Sequence, residues 1–255
     1  MFERLKKHRF LLEELVKRDF KKKYKRSVLG MGWSVLSPLL MLLVMRLVFT
    51  QFFGNGVEHY TTYLFCGNLI FAYFNESATQ GMSSLLSNAS IFTKVNVPKY
   101  LFLFSKNLQT LLNFGITLIV FFVFCIIDGI TFTPLFFMLL LPILFLVVFN
   151  VGVGLILSAL YVFFKDIQYL WTVFAQLLMY MSAIFYTIDG YPEWAQRIFM
   201  LNPVYLFISY FRKIVIDGTV PSLEHHALMI GYALLAFGIG ALIYKKKNHK
   251  FLYYV

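Results

Sequence analysis

Two ionisable side chains sit where charge is expensive. Arg46 and Glu76 each fall inside a long apolar run, Arg46 about twelve residues from the start of the first and Glu76 about ten from the end of the second. At about 1.5 Å per helical residue, adjacent antiparallel helices would bring the two to similar depth. A charge in an apolar medium must be paired or face water, so such a group points to function by default. A structural Arg46–Glu76 pair tying two helices together is preferred here over direct contact with a ligand.

No catalytic constellation has the right spacing. There is no GxxxxGK[ST] phosphate loop, no GxGxxG opening a helix, no HExxH and no GxSxG. His225 and His226 form a lone pair, read as solvated rather than as metal ligands. Acids are isolated, Asp166 among them, whereas a membrane-embedded transferase would show paired carboxylates. Cys66 and Cys125 sit in apolar stretches without CxxC spacing and read as small buried residues. No catalytic residue, metal site or cofactor is assigned to the chain.

The elements that must position these residues follow from composition. The chain is 60% hydrophobic and only 14% charged, against about 25% charged in ordinary globular proteins. A soluble core of this size would leave large apolar patches, and a bilayer removes that problem. The net charge of +11 would suggest nucleic acid, but the cations lie in short segments flanking apolar ones, which excludes that reading.

A membrane-crossing helix needs about 20 mainly apolar residues. Six stretches qualify: 34–53, 63–86, 107–127, 134–164, 169–186 and 227–244. The fourth carries Pro142 and an Asn150-Val151-Gly152-Val153-Gly154 interruption, so a kinked or tilted helix is expected there. Placing the amino terminus inside assigns 19 of the 23 Lys and Arg to inner segments: eleven in 1–33, then Lys94, Lys99, Lys106 and Lys165, and four in 245–255. The outer segments hold only Arg197, Arg212 and Lys213. This positive-inside asymmetry predicts an all-α membrane protein with six transmembrane helices and both termini cytoplasmic.

Before the first span, Leu12, Val16, Phe20 and Tyr24 recur every four residues, with Leu11 and Leu15 beside them and lysines opposite. That pattern predicts an amphipathic interface helix within 1–33. Residues 187–226 are too apolar for a flexible loop and are broken at Asn202-Pro203, which predicts two short re-entrant helices before the last span. The inner connection 91–100 is a short amphipathic stretch bounded by Pro98, able to protrude and dock on a cytoplasmic partner. Aromatics make up 19% of the chain. Phe71, Tyr73, Phe74 and Tyr180 lie mid-span and are candidates for lining a conduit, since aromatic faces stack on sugar rings.

Taken in order, several segments resemble the membrane-spanning subunit of polysaccharide ABC exporters, the permeases of O-antigen and teichoic-acid export. The residues that carry the resemblance are Tyr24-Lys25-Arg26-Ser27-Val28-Leu29-Gly30 with Trp33, Ser37-Pro38, Asn75-Glu76, Phe92-Thr93-Lys94-Val95 with Val97-Pro98, Phe163-Phe164-Lys165-Asp166-Ile167 and Leu201-Asn202-Pro203. Lys165 stands where Arg is common in the family, keeping the charge but losing a bidentate donor. The resemblance implies a homodimer in the bacterial cytoplasmic membrane, working with an ABC ATPase on a separate chain that binds ATP and Mg. It implies that 91–100 form a coupling helix, through which Phe92, Thr93, Lys94, Val95, Asn96, Val97 and Pro98 couple to that ATPase. It also implies that Trp194, Asn202, Pro203 and Tyr205, within 187–213, gate the outer end. The cargo would be an undecaprenyl-diphosphate-linked polysaccharide or teichoic acid, its head group met by Lys21, Lys22, Lys23, Lys25 and Arg26. The rivals are an ABC permease for drugs, peptides or lipids, and a stand-alone membrane transferase.

Overall fold

The computed structural model describes residues 9–25, 27–54, 57–95, 97–248 and 250–254, and of Lys23 and Tyr24 the backbone alone. Every regular element among them is helical. In chain order these are α1 (Arg9–Tyr24), α2 (Trp33–Phe53), α3 (Tyr60–Ser83), α4 (Ala89–Phe92), α5 (Tyr100–Ile127), α6 (Leu140–Phe163), α7 (Ile167–Met181), α8 (Glu193–Met200), α9 (Pro203–Val215) and α10 (Leu223–Lys247). Short 3-10 turns occupy Gly30–Gly32, Leu86–Asn88, Pro134–Leu139 and Lys250–Leu252.

Among the described residues, four helical stretches are long and apolar enough to cross a membrane: Gly30–Phe53, Tyr100–Ile127, Pro134–Phe163 and Leu223–Lys247. The other two expected spans are helical but fall outside that class. α3 is long enough yet carries Asn68, Asn75, Glu76, Ser77, Thr79 and Gln80. α7 has 15 residues, about 22 Å of helix.

α6 is continuous through Asn150–Gly154, because Pro142 lies in its first turn, where no intrahelical N–H is needed. Its glycines serve packing instead. A Cβ on Gly152 would stand 2.4 Å from the Phe237 backbone nitrogen, and one on Gly240 would stand 2.8 Å from the Gly152 carbonyl oxygen. Backbones of α6 and α10 therefore touch, the small-residue contact by which apolar helices associate without a hydrophobic driving force. Gly81 and Gly154 bring α3 equally near α6, a Cβ on Gly81 lying 3.0 Å from the Gly154 Cα.

α1 lies against α5 through its apolar stripe, which also carries the unforeseen Asp19. Leu15 and Asp19 are buried, while Leu12, Val16 and Phe20 are half-buried beside them. The Asp19 carboxylate accepts from Arg18 at 2.7 Å and stands 3.1 Å from Lys106 Nζ. Arg18 also donates to Asn88 Oδ1 at 2.7 Å, and Gln109 donates to the Asp19 carbonyl at 3.3 Å. Three segments, α1, the 86–88 turn and α5, are thus tied together around Asp19.

The segment 187–226 does hold two short helices broken at Asn202-Pro203, and α8 and α9 meet at 105°. Asn202 caps α9: its Oδ1 accepts from the backbone N–H of Val204 and Tyr205, and its Nδ2 donates to Met181 O and Ser182 Oγ. The cap therefore also ties α9 to the end of α7.

One expectation is corrected here. The 91–100 segment is not helical throughout: α4 ends at Phe92, and Pro98 disfavours helix before it, so only a single turn forms. The basic tail is anchored: α10 runs to Lys247, and Phe251 then turns back into a core with Leu85, Phe92, Phe102 and Tyr244.

Candidate functional site

Along α3, Asn68, Ala72, Asn75, Glu76, Thr79, Gln80 and Ser83 are three or four residues apart and share one helical face. Two cavities open onto that face. One, of about 540 Å³, is walled by α2 (Trp33, Ser34, Ser37, Pro38, Met41), α3 and α5 (Thr110, Asn113, Phe114, Thr117). The other, of about 510 Å³, lies between α3 and α7, lined by Gln80, Ser83, Tyr161, Gln168, Tyr169, Trp171, Thr172 and Gln176. They share Phe71, Asn75 and Met179 as common walls.

The stripe is held in place from behind. Ser77 donates to Asn107 Oδ1 at 2.6 Å, and Asn107 donates to the Leu103 carbonyl, tying α3 to α5. Asn113 donates to Glu76 Oε1 at 3.4 Å. Trp171 Nε1 donates to Thr79 Oγ1 at 3.1 Å, and Tyr161 donates to Gln168 Oε1 at 2.9 Å. The lining combines amides and hydroxyls, which both donate and accept, with flat aromatic faces. Among the described residues no group of three or more His, Cys, Asp or Glu has metal-binding geometry.

The candidate conduit residues divide. Phe71, Tyr73 and Glu76 line the first cavity. Phe74 does not: it is buried against Phe149 and Trp171, ring centroids 5.7 and 5.9 Å away. Tyr180 lines neither cavity and is exposed on α7, its carbonyl accepting from Tyr186. Arg46 and Glu76 do not pair. The inward face of α2 is Leu42 and Met45, and Arg46 stands at the edge of that face, exposed.

At the 105° corner, Trp194 is exposed, while Asn202 and Tyr205 are buried and Pro203 takes the first position of α9. Tyr205 packs on Phe199 at 5.5 Å. Of the 92–98 residues, Phe92 is buried, Thr93, Lys94 and Val95 are exposed, Val97 and Pro98 are half-buried, and Asn96 lies outside the described residues. Lys21, Lys22 and Lys25 are exposed; Arg26 and the Lys23 side chain lie outside the described residues.

Three buried ions escaped the sequence reading. Asp19 is one. Arg212 is the second: its guanidinium donates to Tyr63 O at 3.1 Å, Ala183 O at 2.8 Å and Ile184 O at 3.0 Å, and lies 3.3 Å from the Tyr63 ring centroid. The third is Lys99, which donates to the Asn248 carbonyl. Burial pushes its pKa below the usual lysine value. No local sequence signal marks any of them, since each is surrounded by residues distant in the chain. The histidines also differ from expectation. His225 is buried and donates from Nε2 to Leu206 O at 2.9 Å, while His226 donates to Ser222 O and meets the Tyr210 hydroxyl. His225 is thus enclosed by packing, and His226 stands half-buried at the surface.

Exposed apolar flanks, such as Leu43, Leu47 and Val48 on α2 and Leu170, Val173 and Leu177 on α7, surround this polar-lined interior. That combination defines a membrane transport protein. The profile of the ABC-2 type transporter family matches residues 11–216, so the chain belongs to that family. It is 29% identical over 243 residues to the O-antigen export system permease protein RfbA of Klebsiella pneumoniae, spanning 94% of this chain and 93% of that one. The RfbA of Myxococcus xanthus is 25% identical over 97% of this chain and 96% of its own. The capsule polysaccharide export inner-membrane protein CtrC of Neisseria meningitidis is 23% identical, covering 89% and 88%.

Proposed function

We propose that the chain is the permease subunit of a bacterial polysaccharide exporter in the cytoplasmic membrane. It crosses six times, through α2, α3, α5, α6, α7 and α10, with both termini inside; the lopsided cations support that orientation. Transport is driven by ATP hydrolysed on a separate ATPase chain, and this subunit performs no chemistry of its own. A second copy completes the path. The cargo is a glycan of the O-antigen, capsule or teichoic-acid kind, carried on an undecaprenyl diphosphate. Lys21, Lys22, Lys23, Lys25 and Arg26 meet the anionic head group at the inner leaflet. The 91–100 segment docks on the ATPase through its exposed Thr93, Lys94 and Val95. The α8–α9 corner closes the outer end.

The observation that carries this reading is the amide and hydroxyl stripe of α3 facing two adjoining cavities. A sugar polymer entering the bilayer gives up hydrogen bonds to water and must recover them from the wall. Cargo made only of hydrocarbon has no use for such a stripe. In a deletion strain complemented with Asn75→Leu, Gln80→Leu or both, surface carbohydrate is measured at equal membrane abundance of the subunit. Two lost hydrogen bonds of about 1 kcal/mol each predict a fall of about tenfold or more in the double variant. Unchanged surface carbohydrate removes the stripe from the transport path.

A further inference from the structure

Lys99 is the buried lysine among the described residues, 7% exposed. It lies between two segments far apart in sequence. Its Nζ donates to the Asn248 carbonyl, just past the last residue of α10, and stands 5.8 Å from the ring centroids of both Phe92 and Phe251. A cation at the end of a helix satisfies a carbonyl that has no intrahelical partner, and two aromatic faces add to its retention. Phe251 is fully buried, packing on Tyr244 at 5.2 Å and Phe163 at 5.7 Å, and Tyr254 meets Phe163 edge-on at 5.0 Å. An ammonium taken out of water is a costly way to fill space, and an aliphatic side chain would pack more cheaply. What Lys99 adds is alignment. One end of its reach holds the segment bearing Val95, the other the tail bearing Tyr253. Both side chains remain uncovered, at 54% and 85% exposure.

We propose that Lys99 is a positioning residue of the energy-coupling surface: it clasps the C-terminal tail to the 92–95 segment, so that Tyr253 joins Val95 against the ATPase subunit. This rests on the docking role given above to the 91–100 segment. The occupant follows from continuity, because the same ammonium orders both pieces, and a surface that docks at Val95 is extended by the tail. Exposed Lys94, Lys245, Lys246, Lys247 and Lys250 around it call for an acidic rim on the partner. Tyr253 at the centre is the kind of aromatic anchor on which protein interfaces concentrate their binding energy.

The test uses Val95→Cys and Tyr253→Cys separately, in membranes containing the co-expressed ATPase, with a thiol-to-amine cross-linker. The native Cys66 and Cys125 are both fully buried and stay silent. Both variants are expected to form an adduct with the ATPase. Adding Lys99→Met should cut the Tyr253→Cys adduct by about fivefold, the effect of about 1 kcal/mol, while leaving the Val95→Cys adduct; Lys99→Arg should preserve both. If Lys99→Met does not accumulate, Phe251→Ala, which removes no charge, takes its place. An adduct at Val95→Cys without one at Tyr253→Cys overturns the clasp and leaves the docking role standing. Absence of both adducts removes the docking role itself. A Tyr253→Cys adduct indifferent to Lys99→Met and Phe251→Ala also overturns the proposal.

Discussion

Arg212 offers the sharpest test of how α9 is tied to α3 and the end of α7. Its guanidinium reaches three carbonyl oxygens, those of Tyr63, Ala183 and Ile184, at 2.8 to 3.1 Å. Two of these lie just beyond the last turn of α7, where Ala183 holds a left-handed φ of 48°, a conformation that costs a residue with a Cβ. In Arg212→Leu the side chain stops short and three carbonyls lose a buried partner, at about 1–3 kcal/mol each. Relief from burying a guanidinium offsets part of that, leaving a net loss of about 2–4 kcal/mol. Gly67 presses on the same knot from α3: a Cβ there would stand 2.8 Å from Arg212 Nη2 and 3.0 Å from Ile184 Cγ2. Gly67→Ala alone should therefore cost about 1–3 kcal/mol. With the Arg212 fork gone, part of that crowding goes too, so the double variant should be less damaged than the sum by about 1 kcal/mol or more. Unfolding by SDS in mixed micelles, followed by fluorescence of the three tryptophans, measures the cycle. Additivity to within about 0.5 kcal/mol, or an Arg212→Leu cost below about 1 kcal/mol, refutes this account of the knot.

Two further outcomes follow from the packing. Gly152→Ala puts a methyl 2.4 Å from the Phe237 backbone and should cost about 1–3 kcal/mol in the same titration. Gly115→Ala, whose Cβ meets nothing within 4 Å, should gain about 0.5–1 kcal/mol from helix propensity; equal effects at the two sites would contradict the backbone contact of α6 with α10. Asp19→Asn leaves Arg18 and Lys106 without their shared carboxylate and should release α1 from α5. A Leu15→Cys probe, protected in the parent, should then react with a membrane-impermeant maleimide in inside-out vesicles; continued protection argues against the ionic anchor.

Much of this was legible in the chain, and for a physical reason. Apolar run length and cation placement are one-dimensional properties, so the helical membrane character of residues 34–247 can be counted without coordinates. The break at Asn202-Pro203 is equally local, since proline removes an N–H and restricts the residue before it. So are the cysteines, which the structure buries as expected. The candidate site was only half legible. Glu76 drew notice as a charge in an apolar run and Asn75 through the family resemblance, but pairing Glu76 with Arg46 required knowing which flank of α2 turns inward, and depth along an axis says nothing about rotation around it. That Phe74 and Tyr180 line neither of the two cavities was hidden for the same reason: an aromatic inside a span can face core, lipid or cavity with identical neighbours in sequence.

Sequence alone determined that this is a many-helix membrane protein with clustered cations between its apolar runs and a broken helical pair before its last long helix, because hydrophobicity, charge and proline act where they stand. Only the tertiary structure decided that the α3 polar stripe meets two cavities, that glycines 152 and 240 join backbones, and that Asp19, Lys99 and Arg212 are buried anchors. Each of those depends on what arrives from a distant part of the chain: a buried ion is tolerated through its partners, and the partners are chosen by the fold.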